Sequence, residues 1–304
     1  VFQRFYQQFN NLEEISQLIK SLKKAAIKVV YDIDDNLFDK SVLLEQKIAE
    51  KDSIIISSQS QYLIKNADFI TTSSKEIQKM VKIKFNKSIT FIPNVISKSV
   101  WGSLEDNLNR INSRKLKINP KESIKMGYFG TPSHDVDVLM LKDFITDLNN
   151  KYKFEFEVIG AFQHKKVNFG KRVGLLKKNA YPNFVRWIKI ISSSWDIGLI
   201  PLIHKNGFSI YKSNIKFLEY AMLGIPIIVS DSPIYKDIAV HEENCLIVSN
   251  TKKAWTEAIT RLIENPYLRE KLINQAFIDV TTNYFPSNSL INEYYQKLTK
   301  QIIF

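Results

Sequence analysis

The residues that are best suited to carry out chemistry in this sequence lie in the segment YKSNIKFLEYAMLGIPIIVSD, which starts at residue 211. Lys212, Lys216 and Glu219 are spaced by four and three residues, so they would share one face near the start of a helix. The Gly-Ile-Pro turn after them predicts the end of that helix, and the apolar run that follows predicts a buried strand. Two ammonium groups and the unpaired N–H groups of a helix start suit a phosphate, while Glu219 suits a ribose diol.

The same pattern fits an ordinary amphipathic helix with a solvated basic face, and taken alone it favours that simpler interpretation. However, the segment resembles the nucleotide-sugar site of GT-B glycosyltransferases, especially the retaining family 4 enzymes, in which two glutamates precede a glycine-proline turn. Glu219 matches the second glutamate, which binds the donor ribose in that family. Tyr211 occupies the place of the first, so either the tyrosine contacts the donor sugar or the sugar is held differently. The resemblance places donor-binding residues at Tyr211, Lys212, Ser213, Lys216 and Glu219.

Two further stretches carry the resemblance toward the middle of the chain. Residues 124–145 resemble the strand, glycine-rich turn and helix that open the donor domain, and Gly130 would let the backbone approach a diphosphate. Residues 180–202 resemble the stretch beside the nucleobase. This second resemblance implies that Tyr181 and Pro182 lie near the base.

The glycine turn departs from the family pattern at the positions that usually bind the diphosphate. The arginine and lysine expected there are absent, and Thr131 and Asp137 stand in their places. Lys212 and Lys216 are the substitutes that the resemblance suggests, and Thr131 is kept as a donor-binding candidate. His134 could hydrogen-bond a donor phosphate or the sugar and act in catalysis, although helix capping or a surface position explains it equally well.

The remaining histidines and the cysteine predict no metal site. His204 falls near the expected donor sugar, whereas His164 and His241 fit structural or solvated positions. No two of the four histidines have metal-ligand spacing, and a single cysteine excludes a cysteine-based zinc site.

A second motif, VVYDIDDNLF at residues 29–38, places Asp32 and Asp34 at the carboxyl end of a predicted strand, where α/β proteins carry out chemistry. It resembles a segment of family 4 surface-polysaccharide enzymes that faces the donor, which implies that Asp32 and Asp34 orient or partly deprotonate the acceptor. It also resembles the nucleophile strand of haloacid-dehalogenase phosphatases, in which Asp32 would attack phosphorus and Asp34 would be the general acid beside Mg²⁺. In that comparison Asn36 replaces the usual threonine. Helix capping by Asp34 or Asp35 is the third interpretation.

Composition narrows the classes of partner. The 304-residue chain has a formal charge of +12, but its lysines are spread out and recognised nucleic-acid motifs are missing, so no nucleic acid is expected. There is no apolar run of about eighteen residues and no signal peptide at the start, which predicts a cytoplasmic protein. Lysines that interleave with apolar residues near the start predict loose contact with an anionic membrane face: Lys20, Lys23, Lys24 and Lys28.

Alternating strand and helix patterns predict an α/β protein with parallel sheets, and the resemblance implies two Rossmann-like domains in the GT-B arrangement. Residues 1–100 would form a partial acceptor-side domain, 101–123 a linker and 124–284 the donor domain, while 285–304 would form a helix that packs back on the first domain. Because the first domain has room for only about three strands, we expect the chain to be a fragment.

The function implied by the resemblance is transfer of a sugar from a nucleoside diphosphate-sugar to a saccharide or lipid-linked acceptor, with retention, in bacterial surface polysaccharide synthesis. No cofactor is expected apart from the donor substrate. Lysines and backbone amides would stabilise the charge that develops on the leaving diphosphate. A catalytically silent GT-B module that binds a nucleotide or a partner is the alternative, because the first glutamate is missing and the first domain is short.

Overall fold

A computed structural model describes residues 1–3, 11–115, 123–148, 151–162, 169–174, 180–203 and 209–299. The helices in these ranges are α1 (Leu12–Lys24), α2 (Lys40–Glu45), α3 (Glu50–Asn66), α4 (Lys75–Phe85), α5 (Lys98–Trp101), α6 (Leu104–Lys115), α7 (Asp135–Leu139), α8 (Lys142–Leu148), α9 (Tyr181–Ile191), α10 (Ile215–Leu223), α11 (Lys252–Glu264), α12 (Pro266–Asn283) and α13 (Asn288–Thr299). The strands are β1 (Phe2–Gln3), β2 (Val30–Asp32), β3 (Phe69–Thr72), β4 (Thr90–Phe91), β5 (Ile124–Phe129), β6 (Phe154–Ile159), β7 (Lys171–Val173), β8 (Ile197–Ile200), β9 (Ile227–Ser230) and β10 (Leu246–Val248).

The described strands form two parallel sheets. One has the order β1-β2-β3-β4 and the other the order β10-β9-β8-β5-β6-β7. Parallel neighbours need crossover connections. Helices α1, α3 and α4 lie in those of the first sheet, and α8 and α10 lie in the connections β5–β6 and β8–β9 of the second. This topology confirms the predicted α/β class with two parallel sheets.

The chain divides into two compact units, and each unit contains one of the sheets. Unit 1 comprises Val1–Asn94, His204–Ser213 and Ser287–Phe304, and unit 2 comprises Val95–Ile203 and Asn214–Pro286. Unit 1 therefore includes a short internal segment that ends just before α10, as well as the last helix, α13. The predicted domain bounds stay a prediction.

The segment predicted as a linker, residues 101–123, contains α6. Ile111 of this helix is buried, and Arg110 and Arg114 donate hydrogen bonds to backbone carbonyl groups elsewhere in unit 2. The polar composition of the segment hides the helix because its stabilising partners lie about 80 residues or more away in the sequence.

In unit 1, helices α1, α3 and α4 pack on the sheet. The hydroxyl group of Ser74 accepts a hydrogen bond from the backbone N–H of Ile77 and so caps α4, which ends at Asn86 in the left-handed conformation (φ 50°). Each of the three helices contributes a pair of buried side chains to the core: Ile15 and Ile19, Leu63 and Ile64, and Ile77 and Val81. One face of α4 is thereby buried.

In unit 2, two glycines in the central strands let aromatic rings lie directly on the sheet. A Cβ atom at Gly127 in β5 would come within 1.9 Å of the Trp195 ring, and one at Gly198 in β8 within 2.3 Å of the Tyr220 ring. Phe129 stacks on Tyr220 with the ring centroids 4.5 Å apart. Because Tyr220 belongs to α10, this packing holds α10 close against the sheet.

Candidate functional site

The helix α10 is buried on all sides and is not amphipathic. All residues from Phe217 to Leu223 are buried, so the interpretation as a solvated basic face is wrong for this helix. It begins only after Asn214, and the prediction that Lys212 shares a helical face with Lys216 is therefore also wrong. The physical reason is that Ser209–Tyr211 forms a separate 3-10 turn whose tyrosine is buried in the unit 1 core.

Glu219 on α10 is a buried carboxyl group in a chain of hydrogen bonds. The residue is 6% exposed, and its Oε1 accepts a hydrogen bond of 2.9 Å from the Tyr181 hydroxyl, which itself accepts one of 3.3 Å from Trp101 Nε1. Burial raises the pKa of Glu219 to about 7, while the Tyr181 hydrogen bond and the Lys216 charge act in the opposite direction. The group therefore titrates near neutral pH.

Lys216, one turn before Glu219, contacts the glycine turn through a tyrosine. Its Nζ donates a hydrogen bond of 3.0 Å to the Tyr128 hydroxyl and lies 5.0 Å from the centre of that ring. A Cβ atom at Gly130 would come within 2.2 Å of the Tyr128 Oη and 3.1 Å of the Lys216 Nζ. Gly130 therefore has no room for a side chain. Burial raises the pKa of Tyr128 well above its usual value, so the phenol stays neutral.

His134 and Asp137 form a buried pair on the turn that follows Gly130. The His134 Nδ1 lies 2.8 Å from the Asp137 Oδ2, and the other Asp137 oxygen accepts a hydrogen bond from the backbone N–H of Ile203, which follows β8. Asp137 thus orients the imidazole and joins the turn to the neighbouring strand end. The hydroxyl group of Thr131, which is exposed, lies 2.8 Å from that of Ser133. The roles predicted for His134 and Thr131 stay predictions.

Asp32 and Asp34 lie in unit 1, and Asp32 is the last residue of β2. The Asp32 Oδ1 accepts a hydrogen bond of 2.6 Å from the Thr71 hydroxyl, and its Oδ2 accepts one of 3.4 Å from the Gln3 amide. Both aspartates are half-buried. These carboxylates therefore stand at the carboxyl edge of the unit 1 sheet, and their catalytic roles stay predictions.

Tyr211 and Lys212 belong to unit 1. The Lys212 Nζ lies 3.9 Å from the Asp35 Oδ1, and Tyr211 belongs to the unit 1 core, where burial, with the Asp39 charge, raises the pKa of its hydroxyl. Neighbouring Asn36 is buried, and its side chain acts on the Tyr211 hydroxyl through a hydrogen bond that lowers the pKa of that hydroxyl. The segment that ends at Ser213 is thus linked to the acidic motif, and the donor roles predicted for it stay predictions.

The residues predicted from the sequence fall into two groups. Unit 2 brings together Gly130, Lys216, Glu219 and Tyr181, whereas unit 1 brings together the acidic motif and Lys212. Pro182 lies in the first turn of α9, directly after Tyr181. The predictions for His164 and His204 lie outside the described residues.

Sequence reasoning missed two residues of the unit 2 site, Tyr128 and Trp101. Tyr128 lies in a run of apolar residues that looks like plain core, and Trp101 opens the segment predicted as a linker. The sequence did offer one indication of both residues, because a buried tyrosine hydroxyl or tryptophan N–H group usually has a hydrogen-bond partner.

In the described ranges, no group of three or more His, Cys, Asp and Glu side chains is arranged to hold a metal ion. No helix among these residues combines the length and apolar composition needed to cross a membrane.

Comparison with protein families gives a match that lies mainly in unit 2. Residues 212–278 match the family model described as glycosyl transferases group 1. The matched range contains α10 with Lys216 and Glu219. No curated protein matches the sequence.

Solved structures show where else the fold occurs. HepE from Anabaena, in complex with UDP and glucose, has a TM-score of 0.64 at 11% identity, covering 94% of this chain and 75% of that one. Sucrose-phosphate synthase from Thermosynechococcus elongatus has a TM-score of 0.61 at 14% identity, covering 90% and 68%. TarM from S. aureus, in complex with fondaparinux, α-GlcNAc-glycerol and UDP, has a TM-score of 0.58 at 13% identity, covering 89% and 50%. At these identities the similarity concerns the fold.

Proposed function

We propose that this chain, which has the GT-B fold and carries a segment of the group 1 glycosyltransferases, transfers a sugar from a nucleoside diphosphate-sugar to a saccharide or lipid-linked acceptor. The glycosyltransferase recognition and the enzyme class predicted from the sequence are confirmed at the level of fold and family segment. The observation that carries the proposal is the buried Glu219, hydrogen-bonded to Tyr181 inside unit 2.

In the proposal, Glu219 binds the ribose of the donor. A diol offers two O–H donors, and an ionised carboxylate accepts both, which makes hydrogen bonds stronger than those between neutral groups. Tyr181 is 43% exposed, so its ring is accessible to a base while its hydroxyl bonds to Glu219. We place the nucleobase beside Tyr181 and Pro182 for this reason.

Lys216 and Gly130 are proposed to bind the diphosphate. An ammonium group has three N–H donors, and Lys216 gives one of them to Tyr128. The backbone N–H of Gly130 is already bonded to the Ile159 carbonyl, so the contribution of Gly130 is the close approach that a missing side chain permits. The positive charge of Lys216 would then stabilise the negative charge that develops on the leaving diphosphate.

The acceptor half of the proposal assigns Asp32 and Asp34 to the acceptor hydroxyl, which they orient or partly deprotonate, with retention at the sugar carbon. We place the reaction in bacterial surface polysaccharide synthesis in the cytoplasm, with loose contact at the anionic inner face of a membrane. The complex of HepE with UDP-glucose and that of TarM with saccharides support testing a UDP-sugar and a saccharide first.

The experiment is a calorimetric and thermal-shift screen of the full chain against UDP, GDP, ADP, CMP and their sugar conjugates, with and without Mg²⁺. We expect one nucleoside diphosphate to bind without the metal and to raise the melting temperature in proportion to its affinity. Sugar release or transfer from the matching conjugate then separates an enzyme from a catalytically silent module, which would bind without turnover.

The Glu219→Gln variant supplies the residue-level test. It should weaken nucleotide binding by about 1–3 kcal/mol, because the amide cannot accept two diol hydrogen bonds as a carboxylate does. Glu243→Gln, an exposed carboxyl in the same unit, is the matched control and should bind as the wild type does. Equal affinity of a folded Glu219→Gln variant would remove the ribose assignment.

A further inference from the structure

An open depression on unit 1 is lined mainly by basic and amide side chains. It has a volume of about 740 Å³ and lies along α4 and the loop after it. Its described lining, called here the lysine depression, consists of Lys75, Gln78, Lys79, Lys82, Asn86, Lys87, Ser88 and Ile89. The depression belongs to unit 1, whereas the proposed donor residues Lys216 and Glu219 belong to unit 2.

The geometry of α4 gathers these lysines. Lys75, Lys79 and Lys82 are spaced by four and three residues, so they occupy the face opposite the buried Ile77 and Val81. Beyond the helix, Asn86 takes the left-handed conformation and reverses the chain.

The loop after α4 is held at one end by a backbone hydrogen bond and at the other by a side-chain hydrogen bond. The Asn86 N–H donates to the Lys82 carbonyl, and the Gln78 amide donates a hydrogen bond of 2.9 Å to the Ile89 carbonyl. Lys87, which lies between these two contacts, completes the lining of the depression. The loop is therefore held by neutral groups, one on the backbone and one on the Gln78 side chain, and these two contacts do not involve the lysine charges.

The charges of the lining are of one sign. No carboxylate occurs among the described residues that line it, and Lys79, Lys82 and Lys87 make no described ion pair or side-chain hydrogen bond. In contrast, Lys84 on the same helix pairs with Asp39 at 3.1 Å. Like charges gathered in one concave surface repel each other and raise the local concentration of anions.

We propose that the lysine depression is a binding site for a phosphate-bearing anion. Its ammonium groups supply charge, and the amide of Asn86 and the hydroxyl of Ser88 supply neutral hydrogen-bond donors, a combination that suits phosphate oxygens. The phosphate belongs either to a free phosphorylated molecule or to an anionic lipid headgroup, and the two sources share this chemistry. The site requires neither Glu219 nor Lys216.

The test is lysine footprinting of the full chain. Acetylation of lysines by an amine-reactive reagent is followed by mass spectrometry in buffer, with pyrophosphate, with phosphatidylcholine vesicles, and with vesicles that also contain phosphatidylglycerol. We expect protection of Lys79, Lys82 and Lys87 by at least threefold, and no protection of Lys51 and Lys65, which are exposed lysines on another helix of unit 1. Protection by pyrophosphate identifies a free phosphate ligand, and protection by phosphatidylglycerol vesicles alone identifies a headgroup.

A binding measurement with matched variants separates this site from the proposed donor site. The triple variant Lys79→Gln, Lys82→Gln, Lys87→Gln should lose at least tenfold in affinity for the protecting ligand. The control variant Lys51→Gln, Lys65→Gln, Lys98→Gln removes the same charge and should keep its affinity. Lys216→Gln should leave binding at the depression unchanged, whatever it does to nucleotide affinity. Absence of protection with both probes, or equal losses in the two triple variants, would overturn the proposal.

Discussion

At the scale of single residues, the central group is Glu219, which combines burial with a hydrogen bond from Tyr181. Glu264 is an exposed carboxyl group for comparison. Its hydrogen bonds with Tyr152 and Lys151 lower its pKa. For Glu219 the loss of hydration dominates and the pKa rises to about 7. Folding is therefore linked to the protonation of this one carboxyl group, and under the proposed function nucleotide binding is linked to it as well.

The first prediction concerns stability as a function of pH. The pKa of Glu219 is about 7 in the folded chain and 4.5 as the unperturbed value. Well below pH 4.5 both states are protonated and nothing is lost. Between about pH 4.5 and 7 the unfolded state ionises while the folded state keeps its proton, so stability falls over this interval and is constant above it. The cost at high pH is about 3 kcal/mol, since one pKa unit corresponds to about 1.4 kcal/mol. Urea unfolding at pH 5 and pH 8 measures it.

Glu219→Gln isolates this contribution, because the difference between variant and wild type cancels the titration of other groups. The wild type should lose stability relative to the variant between pH 5 and pH 8. A difference that does not change with pH would show that Glu219 keeps an ordinary pKa. Nucleotide affinity of the wild type should rise over the same interval, as the carboxylate forms.

The second prediction concerns the close approach at Gly130. Gly130→Ala would place a methyl group 2.2 Å from the Tyr128 Oη, which breaks the contact with Lys216 and costs about 1–3 kcal/mol. Gly174→Ala is the matched control, because no atom of the described residues lies within 4 Å of its Cβ position. Thermal unfolding and nucleotide binding measure both effects. Adding Tyr128→Phe removes the clashing oxygen and should restore part of the stability; no recovery would locate the strain elsewhere.

At the scale of elements, α10 is held at its C-terminal end by α6. Arg110 donates hydrogen bonds to the Met222 and Leu223 carbonyls, which are the last of α10, and Ile111 lies against the Cα of Gly224. A cation at this end also complements the helix dipole. A Cβ at Gly224 would approach Ile111 within 2.5 Å, so the left-handed glycine serves both the turn and the packing. α6 thereby positions the helix that carries Glu219.

The third prediction tests this support. Arg110→Met removes charged hydrogen bonds and leaves buried carbonyls unpaired, which should lower the free energy of unfolding by about 2–3 kcal/mol. Arg186→Met, at an exposed position of α9, is the control and should change stability by less than about 0.5 kcal/mol. Chemical denaturation measures both. If the two variants were equally stable, α6 would not support α10.

At the scale of the whole molecule, the chain consists of two units with separate sheets and separate cores. All four tryptophans belong to unit 2: Trp101, Trp187, Trp195 and Trp255. Tryptophan fluorescence therefore reports on unit 2, whereas far-ultraviolet circular dichroism reports on both units. Chains with more than one unit often depart from a single two-state transition.

The fourth prediction follows from that distribution. A nucleotide that binds unit 2 at one hundred times its Kd should shift the fluorescence transition by about 2.7 kcal/mol. Only the part of the circular dichroism signal that comes from unit 2 should shift. The unfolding transitions measured by fluorescence and by circular dichroism should therefore no longer coincide when ligand is added. Equal shifts in both probes would show that the units unfold together.

Much of the fold can be predicted from the sequence because its signals are local. Gly224 ends α10 as the Gly-Ile-Pro turn predicts, because a helix end depends on the residues next to it. The two parallel sheets follow from the alternation of strands and helices. The polar segment that contains α6 is the exception, since its stability comes from carbonyl groups of α10 and of the turn before Trp195.

The sequence by itself determined the element types, the parallel sheets and the GT-B resemblance, and it singled out Lys216 and Glu219 as candidates. Only the tertiary structure decided that Lys212 belongs to unit 1, and that Glu219 is buried against Tyr181, 38 positions away in the chain. The physical reason is that helix and strand signals depend on neighbouring residues, whereas burial and the pKa of a side chain depend on partners that only folding brings together.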